Sequence, residues 1–258
     1  MAEPRAISSK DNPLLVRVRK LVADPGAYRK LGEVWLEGDH LCAAFASRGG
    51  RALQAVLTSQ AWQRPALREL AGQAASVAIV PPELMAGLST LESPPAVGFL
   101  VATPTAPAIT PDAATVVLDR LQDAGNVGAI LRSASAFGFA QVVALKGTAA
   151  LWSPKVLRAG MGAHFGLRLV EGVDAAALAA LRMPLLATSS HAEQALHEVD
   201  LPWPCAWVLG HEGQGVSAEL QQRCAMALRI PQPGGEESLN VAAAAAVCLY
   251  ESARQRVG

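Results

Sequence analysis

Three short polar segments of the chain each follow an apolar run of the kind that forms a buried strand. They carry Asn126 and Arg132 in the first segment, Glu212 in the second, and Ser238 and Asn240 in the third. Amide, guanidinium, carboxylate and hydroxyl groups bind and orient polar ligands. Ligands of open α/β sheets bind at the carboxyl ends of the strands. We therefore expect the three segments to converge on one ligand site.

Glycines in the second segment favour close contact between the backbone and a ligand. Gly210, Gly213 and Gly215 leave exposed backbone groups that can hydrogen-bond an adenine or a ribose. Their spacing differs from the Gly-x-Gly-x-x-Gly fingerprint of dinucleotide-binding folds, and the chain has no Gly-Lys-Ser/Thr phosphate loop.

Each polar residue also has a purely structural interpretation. Asn126 is a residue type that commonly caps a helix, and Arg132 is then a surface cation. Glu212 is a solvated loop carboxylate, and Ser238 or Asn240 caps the helix that follows. Capping by the third segment is compatible with a role in catalysis.

The order and spacing of the three segments resemble the motifs of the SpoU/TrmH family of RNA ribose 2′-O-methyltransferases, part of the knotted SPOUT group. Segment 123–132 matches the pattern Asn-x-Gly-Asn-x-Gly-x-x-x-Arg with a mild departure at its start. Asp123 replaces the first asparagine, and Ala124 occupies the next position. Segment 210–215 matches Gly-x-Glu-Gly-x-Gly in full, and segment 230–244 matches the third motif with one extra loop residue. The resemblance is strong over about residues 110–256.

The resemblance implies S-adenosylmethionine as the methyl donor and a ribose 2′-hydroxyl of RNA as the acceptor. The implied catalytic residues are Asn126, Arg132, Glu212, Ser238 and Asn240. The implied cofactor-binding residues are Gly210, Glu212, Gly213, Gly215, Ile230, Ser238 and Leu239. Displacement at the methyl carbon needs a well-placed oxygen and a route for its proton, and needs no metal ion. Because arginine stays protonated at neutral pH, we expect Arg132 to orient the 2′-oxygen and its phosphate.

The first thirty residues carry more basic than acidic side chains, although the net charge of the whole chain is zero. We predict that this segment binds RNA phosphates through Lys10, Arg17, Arg19 and Lys20. The alternative is the solvated face of an ordinary amphipathic helix.

A second basic pair lies in segment 153–162, which resembles the family pattern Pro-Lys-x-x-Arg-x-x-x-Gly. Lys155 and Arg158 are three residues apart, so a helix places both on one face. Contact with an RNA phosphate is predicted for this pair, with two solvated cations as the alternative.

A proline-rich stretch at 103–111 interrupts helices and central strands and divides the chain. We predict a smaller α/β RNA-binding domain at 1–105 and a catalytic α/β domain at 106–258, with a mostly parallel sheet and helices on both faces. Residues 8–14 and 35–38 resemble the RNA-recognising domain that precedes many SpoU/TrmH catalytic domains. The resemblance further implies a C-terminal trefoil knot of the SPOUT type and a homodimer.

The periodicity of apolar residues predicts where the strands and helices lie. The predicted strands are 34–36, 55–57, 77–80, 97–101, 116–118, 142–145, 167–170, 185–188, 206–209 and 228–230. The predicted helices are 14–22, 41–48, 127–137, 154–161, 174–182, 217–224 and 239–255.

Composition excludes several classes of protein. Of the 258 residues, 51% are hydrophobic and 17% charged, which is typical of a compact globular chain. The four cysteines are far apart and show no ligand spacing, so we expect neither a metal site nor a disulfide framework. The N-terminus lacks a secretory signal, and the longest apolar run, 241–250, is too short to span a membrane. We expect a cytoplasmic protein without a membrane partner.

Two other functions compete with methyl transfer. A non-catalytic RNA- or ribosome-binding protein of the same fold would be free to lose the five polar side chains, yet all of them are present. A nucleotide-dependent oxidoreductase is disfavoured because the glycine fingerprint is missing. Between RNA substrates, the additional N-terminal domain favours ribosomal RNA over transfer RNA.

Overall fold

The computed structural model describes residues 3–235 and 239–257, so the predicted site residue Ser238 lies outside the described residues. The chain divides into two compact units. The first comprises Met1–Thr105 and Trp152–Phe165, and the second comprises Ala106–Leu151 and Gly166–Gly258. The sequence predicted a single break near residue 105, whereas the structure also groups Trp152–Phe165 with the N-terminal residues.

The first unit is built on a mixed five-stranded sheet with the strand order β1-β4-β3-β5-β2. Strands β1, β4 and β3 are parallel, whereas β5 runs antiparallel to both β3 and β2. Its strands are β1 (Arg5–Ala6), β2 (Glu33–Glu37), β3 (Gln54–Thr58), β4 (Val77–Val80) and β5 (Val97–Ala102). Its first six helices are α1 (Pro13–Ala23), α2 (Ala27–Leu31), α3 (Asp39–Ser47), α4 (Ser59–Trp62), α5 (Pro65–Ala71) and α6 (Pro82–Ala86).

Local sequence explains where these elements begin and how they pack. Asn12 caps α1 by accepting a hydrogen bond from the Leu14 backbone N–H at 3.0 Å, and Pro13 occupies the first helical position. In the sheet, Gly98 leaves room for the ring of Trp35, since a Cβ at Gly98 would lie 2.2 Å from that ring. Trp35 on the edge strand β2 is buried.

The second unit is built on a six-stranded sheet with the order β11-β9-β10-β6-β7-β8, and every neighbouring pair is parallel. Its strands are β6 (Thr115–Asp119), β7 (Gln141–Leu145), β8 (Arg168–Val173), β9 (Leu185–Thr188), β10 (Ala206–Gly210) and β11 (Met226–Leu228). Its helices are α7 (Ala124–Ala136), α9 (Ala218–Arg223) and α10 (Val241–Val257), while α8 (Pro154–Gly160) belongs to the first unit. The predicted parallel sheet is confirmed. Strands β6, β7 and β10 are buried along their whole length, as their continuous apolar runs indicate.

Two predicted elements differ in the structure. The predicted strand 228–230 ends at Leu228, because the backbone of Arg229 bonds to Gln194 and Leu196 instead of continuing along β9. The predicted helix 174–182 forms a short 3₁₀ helix at Ala175–Ala180. Helical backbone is disfavoured at a residue that precedes a proline. Met183 precedes Pro184, so a helix over this segment is not extended toward the proline.

Neighbouring strands at the centre of this sheet bring distant parts of the chain together. Strand β10 pairs with β6 in a register that places Gly210 opposite Asp119. The loops that leave the carboxyl ends of these two strands therefore begin side by side. Helix α10 packs against α7 and β10, close to the same strands. Within the described residues, no helix is both long and apolar enough to cross a membrane.

Candidate active site

Helix α7 begins three residues earlier than the sequence predicts. The side chain of Asp123 caps it by accepting a hydrogen bond from the Asn126 backbone N–H at 2.8 Å. Asn126 therefore lies in the first turn of the helix, and the interpretation of Asn126 as the cap is wrong. Its side chain is left free to make other hydrogen bonds.

The carboxylate of Glu212 joins the first and second motifs. It accepts hydrogen bonds from the backbone N–H groups of Gln122 at 3.3 Å and Asp123 at 3.1 Å, and from the Asn126 side-chain amide at 3.3 Å. Burial raises the pKa of Glu212, but these hydrogen bonds and one from its own backbone outweigh burial and hold the pKa below the ordinary glutamate value. Glu212 is thus an ionised acceptor at neutral pH.

A second hydrogen bond joins the first motif to the third. The side-chain nitrogen of Asn240 donates to the side-chain oxygen of Asn126 at 3.0 Å. The oxygen of Asn240 accepts from the backbone N–H groups of Ala242 at 2.9 Å and Ala243 at 3.3 Å, so Asn240 caps α10 as predicted. Glu212, Asn126 and Asn240 therefore form a continuous chain of hydrogen bonds, and the structure brings together the three segments that the sequence singled out.

Arg132 lies outside this chain of hydrogen bonds. With α7 starting at Ala124, Arg132 is in the third turn of the helix and does not share a face with Asn126. Its side chain is exposed, and no other described residue forms a hydrogen bond with it. Among the residues that the structure describes, none holds the guanidinium group, which lies at the surface.

The glycine loop after β10 is tightly folded on itself. A Cβ at Gly210 would lie 2.1 Å from the backbone atoms of Gly215 and Val216, so this position requires glycine. Gly215 has a φ of 68°, which glycine adopts without strain. A larger residue at Gly210 therefore disrupts the loop itself and does not selectively block a cofactor. At Gly213 the nearest atoms to a new Cβ are 3.8 Å away in the ring of His211, so this position has room.

Asp119 and Arg120 also belong to this edge of the sheet, although they lie outside the three predicted polar segments. The buried carboxylate of Asp119 accepts from the Ser217 backbone N–H at 2.7 Å and from Arg120 Nε at 2.9 Å. Burial raises the pKa of Asp119, but the hydrogen bonds from Arg120 and Ser217 outweigh it and lower the pKa below its ordinary value. Asp119 thus fastens the end of the glycine loop to β6. Its position at the end of a predicted strand was the signal available in the sequence.

A cavity of about 130 Å³ lies near the carboxyl end of β9. Its lining residues are Thr188, Ser189, Ser190, Ile230, Gln232, Leu239 and Ala244. Ile230 and Leu239, two of the predicted cofactor-binding residues, are thereby brought together. The side-chain oxygen of Gln232 is buried and accepts no hydrogen bond within the described part of the chain. The polar residues Ser189 and Ser190, which follow β9, were not predicted as site residues. Their position at the carboxyl end of a parallel strand could have indicated them, because ligands bind there.

The predicted RNA-binding side chains of the first unit are unequally available. Lys10 and Lys20 are exposed. Arg17 pairs with Glu33 at 3.0 Å, and Arg19 donates to the backbone oxygen of Lys10. The two lysines are therefore the better placed of the four to meet a phosphate.

The second basic pair separates into two different environments. Lys155 is exposed on α8, whereas the half-buried Arg158 donates to the buried carboxylate of Glu37 at 3.0 Å and to Thr90 at 3.4 Å. Arg158 is thus engaged within the first unit. An RNA contact by this pair stays a prediction.

Comparison with known proteins identifies the class of this fold and site. Residues 113–250 match the SpoU rRNA Methylase family. An uncharacterized tRNA/rRNA methyltransferase of Synechocystis sp. is 34% identical over 268 residues, with 97% of this chain and 94% of the relative covered. The 23S rRNA (guanosine-2′-O-)-methyltransferase RlmB of Bordetella pertussis is 37% identical over 147 residues, which cover 55% of this chain and 60% of the relative.

A solved structure extends the likeness over almost the whole chain. The SpoU methyltransferase AviRb from Streptomyces viridochromogenes, in complex with the cofactor AdoMet, has a TM-score of 0.85 and 26% identity, and the match covers 96% of this chain and 99% of that one. These matches identify the class of the chain as an RNA methyltransferase. The chain belongs to the SpoU rRNA methylase family, and the predicted resemblance is confirmed.

Proposed function

We propose that this protein transfers a methyl group from S-adenosylmethionine to a ribose 2′-hydroxyl of ribosomal RNA. The observation that carries this proposal is the chain of hydrogen bonds from Glu212 through Asn126 to Asn240. It joins all three family motifs at the carboxyl edge of a parallel sheet, where ligands of such folds bind. The match to RlmB, a 23S rRNA methyltransferase, favours ribosomal RNA. Transfer RNA is the second candidate, because the Synechocystis relative is described as a tRNA/rRNA methyltransferase.

The cavity near β9 fits part of the proposed cofactor. Ile230 and Leu239 supply apolar surface for a flat nucleobase. The oxygen of Gln232, which accepts no hydrogen bond from a described residue, is an acceptor suited to an exocyclic amino group. When bound, S-adenosylmethionine supplies the activated methyl group. The chain's own contribution is to hold the base and to position the acceptor ribose, with backbone groups of the glycine loop as further contacts.

Glu212 acts in this proposal as a positioning group. A carboxylate with a lowered pKa is a weak base, and its oxygens already accept three hydrogen bonds, from Gln122, Asp123 and Asn126. Because a carboxylate only accepts, it makes Asn126 present its nitrogen to Glu212 and its oxygen to Asn240. The two amides are thereby held in one orientation toward the ribose. Arg132, a permanent cation, orients the 2′-oxygen and the adjacent phosphate.

We also propose the homodimer and the C-terminal knot that the family resemblance implies. Helix α10 exposes two large apolar residues one turn apart, Val247 and Tyr250, which are 41% and 54% accessible. Apolar residues exposed together are typical of a protein interface. The packing of α10 against α7 is compatible with a threaded C-terminal segment. Sedimentation of the purified chain as a monomer at micromolar concentration would contradict the dimer.

Methyl transfer to ribosomal RNA by the full chain tests the proposed function. We expect labelled methyl groups from S-adenosylmethionine to appear at ribose 2′-oxygens of an unmodified large-subunit RNA transcript. Arg132→Ala should lower the rate about a hundredfold or more, because misplacing reacting groups by about 1 Å costs that much. Arg132→Lys should retain only part of the wild-type rate, since lysine lacks the planar guanidinium group that can donate two parallel hydrogen bonds. Arg182→Ala, at an exposed arginine of the same unit, is the matched control.

The outcomes separate the competing functions. RNA binding without any methyl transfer would favour a non-catalytic RNA-binding protein. Transfer to a transfer-RNA transcript alone would replace ribosomal RNA as the substrate. Full activity of Arg132→Ala would remove the role assigned to Arg132.

A further inference from the structure

Arg120 occupies a strained position at the carboxyl edge of the second sheet. It follows β6 directly and has a backbone φ of 60°, a left-handed conformation that is uncommon outside glycine. Glycine would adopt this conformation without a steric cost. Strained residues of this kind are concentrated at functional sites. An arginine at such a position indicates that its side chain, and not its backbone, has the task.

The guanidinium group of Arg120 is held on two sides. Its Nε and Nη2 atoms donate to the two oxygens of Asp119 at 2.9 and 3.3 Å, and Nη1 donates to the side-chain oxygen of Gln214 at 3.1 Å. Asp119 is itself fixed, since its side chain is 3% exposed and also accepts from the Ser217 backbone. The orientation of Arg120 is therefore set in advance of any ligand.

This arrangement leaves part of the cation facing outward. Because Asp119 occupies the Nε side of the guanidinium, the edge between the two terminal nitrogens points away from the carboxylate. The side chain of Arg120 is 35% exposed. An outward edge of a guanidinium matches the spacing of two phosphate oxygens.

The charges around the proposed site favour a second cation. Asp123 and Glu212 lie in or beside the loops after β6 and β10. An RNA strand that approaches these carboxylates is repelled unless cations meet its phosphates. Arg132 is one such cation on α7, and Arg120 precedes the first motif in the chain.

We propose that Arg120 binds an RNA phosphate beside the target ribose and that Asp119 orients it for this contact. The inference rests on the proposed function, because it takes RNA as the ligand of this edge of the sheet. It assigns to the segment between β6 and α7 a direct contact with the substrate backbone.

Arg120→Gly is the sharpest variant, because it removes the side chain and relieves the backbone strain together. We expect affinity for a large-subunit ribosomal RNA transcript to fall about tenfold or more, since a charge-assisted hydrogen bond is lost. The logarithmic salt dependence of binding should decrease by about one phosphate contact. Affinity for S-adenosylmethionine should not change, and Arg120→Lys should recover part of the RNA affinity. Met161→Gly, at the other described non-glycine residue with a positive φ, 48°, controls for strain relief.

Gln214→Ala distinguishes between two roles of Arg120, the binding of an RNA phosphate and the stabilisation of the glycine loop through Gln214. It removes the link between that loop and Arg120 while leaving the guanidinium on Asp119, so RNA affinity should stay within about threefold of the wild type. Equal RNA affinity in Arg120→Gly and the wild type would overturn the inference. So would a parallel loss of S-adenosylmethionine binding in Arg120→Gly and Gln214→Ala. A wild-type chain that neither binds RNA nor transfers a methyl group would instead overturn the proposed function.

Discussion

The direction of the hydrogen bonds in the site is determined by one carboxylate. Glu212 accepts from Asn126, so the asparagine must turn its oxygen toward Asn240, and Asn240 must then turn its own oxygen toward the start of α10. Each amide has only one orientation that satisfies both of its neighbours. The orientation of the two amides thus depends on a residue in another motif.

Glu212→Gln tests this dependence with almost no change in size. The substituted amide presents a donor where the carboxylate had an acceptor, so at least one of the three donors, on Gln122, Asp123 and Asn126, loses its partner. We expect the rate of methyl transfer at saturating RNA and cofactor to fall roughly ten- to a hundredfold. The melting temperature should stay within a few degrees, since Glu212 is an exposed side chain. Glu219→Gln, at an exposed carboxylate on α9, is the control, and a fully active Glu212→Gln would show that the orientation is set elsewhere.

At the scale of secondary structure, the two ends of α10 have different tasks. The N-terminal end carries Asn240 into the site, whereas the C-terminal half anchors the helix to the sheet. Ser252 accepts a hydrogen bond from the buried indole of Trp207 at 2.9 Å, and Gln255 donates to the Val199 backbone at 3.0 Å. Burial of Leu249 adds apolar contact along the same face. The position of a site residue therefore depends on packing more than two helical turns away.

The ion pair of Glu251 and Arg254 makes this anchor sensitive to pH. Arg254 donates to both oxygens of Glu251 at 2.8 and 2.7 Å and lowers the pKa of Glu251 to about 2. Because the pKa is lower in the folded state, the ionised pair stabilises the fold above the ordinary value of 4.5, and this stabilisation is lost as the pH falls from about 4.5 toward 2.

Glu251→Gln should therefore destabilise the protein at neutral pH and matter less in acid. We expect the free energy of unfolding in urea to decrease by about 1–2 kcal/mol at pH 7. The difference from the wild type should shrink when the same measurement is made at about pH 3. A difference that is equal at both pH values would assign the effect to packing and not to the charge.

At the scale of the whole molecule, the chain crosses between the units more often than its linker suggests. Segment 152–165 packs within the first unit through Arg158 on Glu37 and through the edge-to-face contact of Phe165 with Phe45. Deleting residues 1–105 would expose the apolar residues of this segment. Such a truncation would report on folding as well as on RNA binding.

Charge reversal in the full chain tests RNA binding by the first unit without that complication. We expect Lys10→Glu combined with Lys20→Glu to weaken binding of the ribosomal RNA transcript about tenfold or more and to lower its logarithmic salt dependence by about two phosphate contacts. Cofactor affinity should not change. Lys146→Glu combined with Arg182→Glu makes the same change of charge on exposed residues of the second unit. Equal losses in both double variants would mean that only net charge matters.

The sequence by itself determined the features that are local in the chain. The apolar runs predicted nearly every strand of both sheets, because a buried strand needs continuous or alternating apolar residues whatever its neighbours are. The order of the three motifs identified the family and most of the polar groups of the site. Capping of α10 by Asn240 was also open to prediction, since it needs only residues next to one another.

Tertiary structure alone decided which of these groups meet. The hydrogen bonds of Asn126 join residues 86 and 114 positions apart, and they depend on β10 lying beside β6 in a particular register. Nothing in the periodicity of a segment specifies which strand becomes its neighbour. Two other contacts went unpredicted for the same reason. They are the hydrogen bonds of Asp119 and Arg120 to the glycine loop and the packing of segment 152–165 within the first unit. Contacts between distant segments are set by the packing of whole elements, because only a folded sheet gives two loops a common edge.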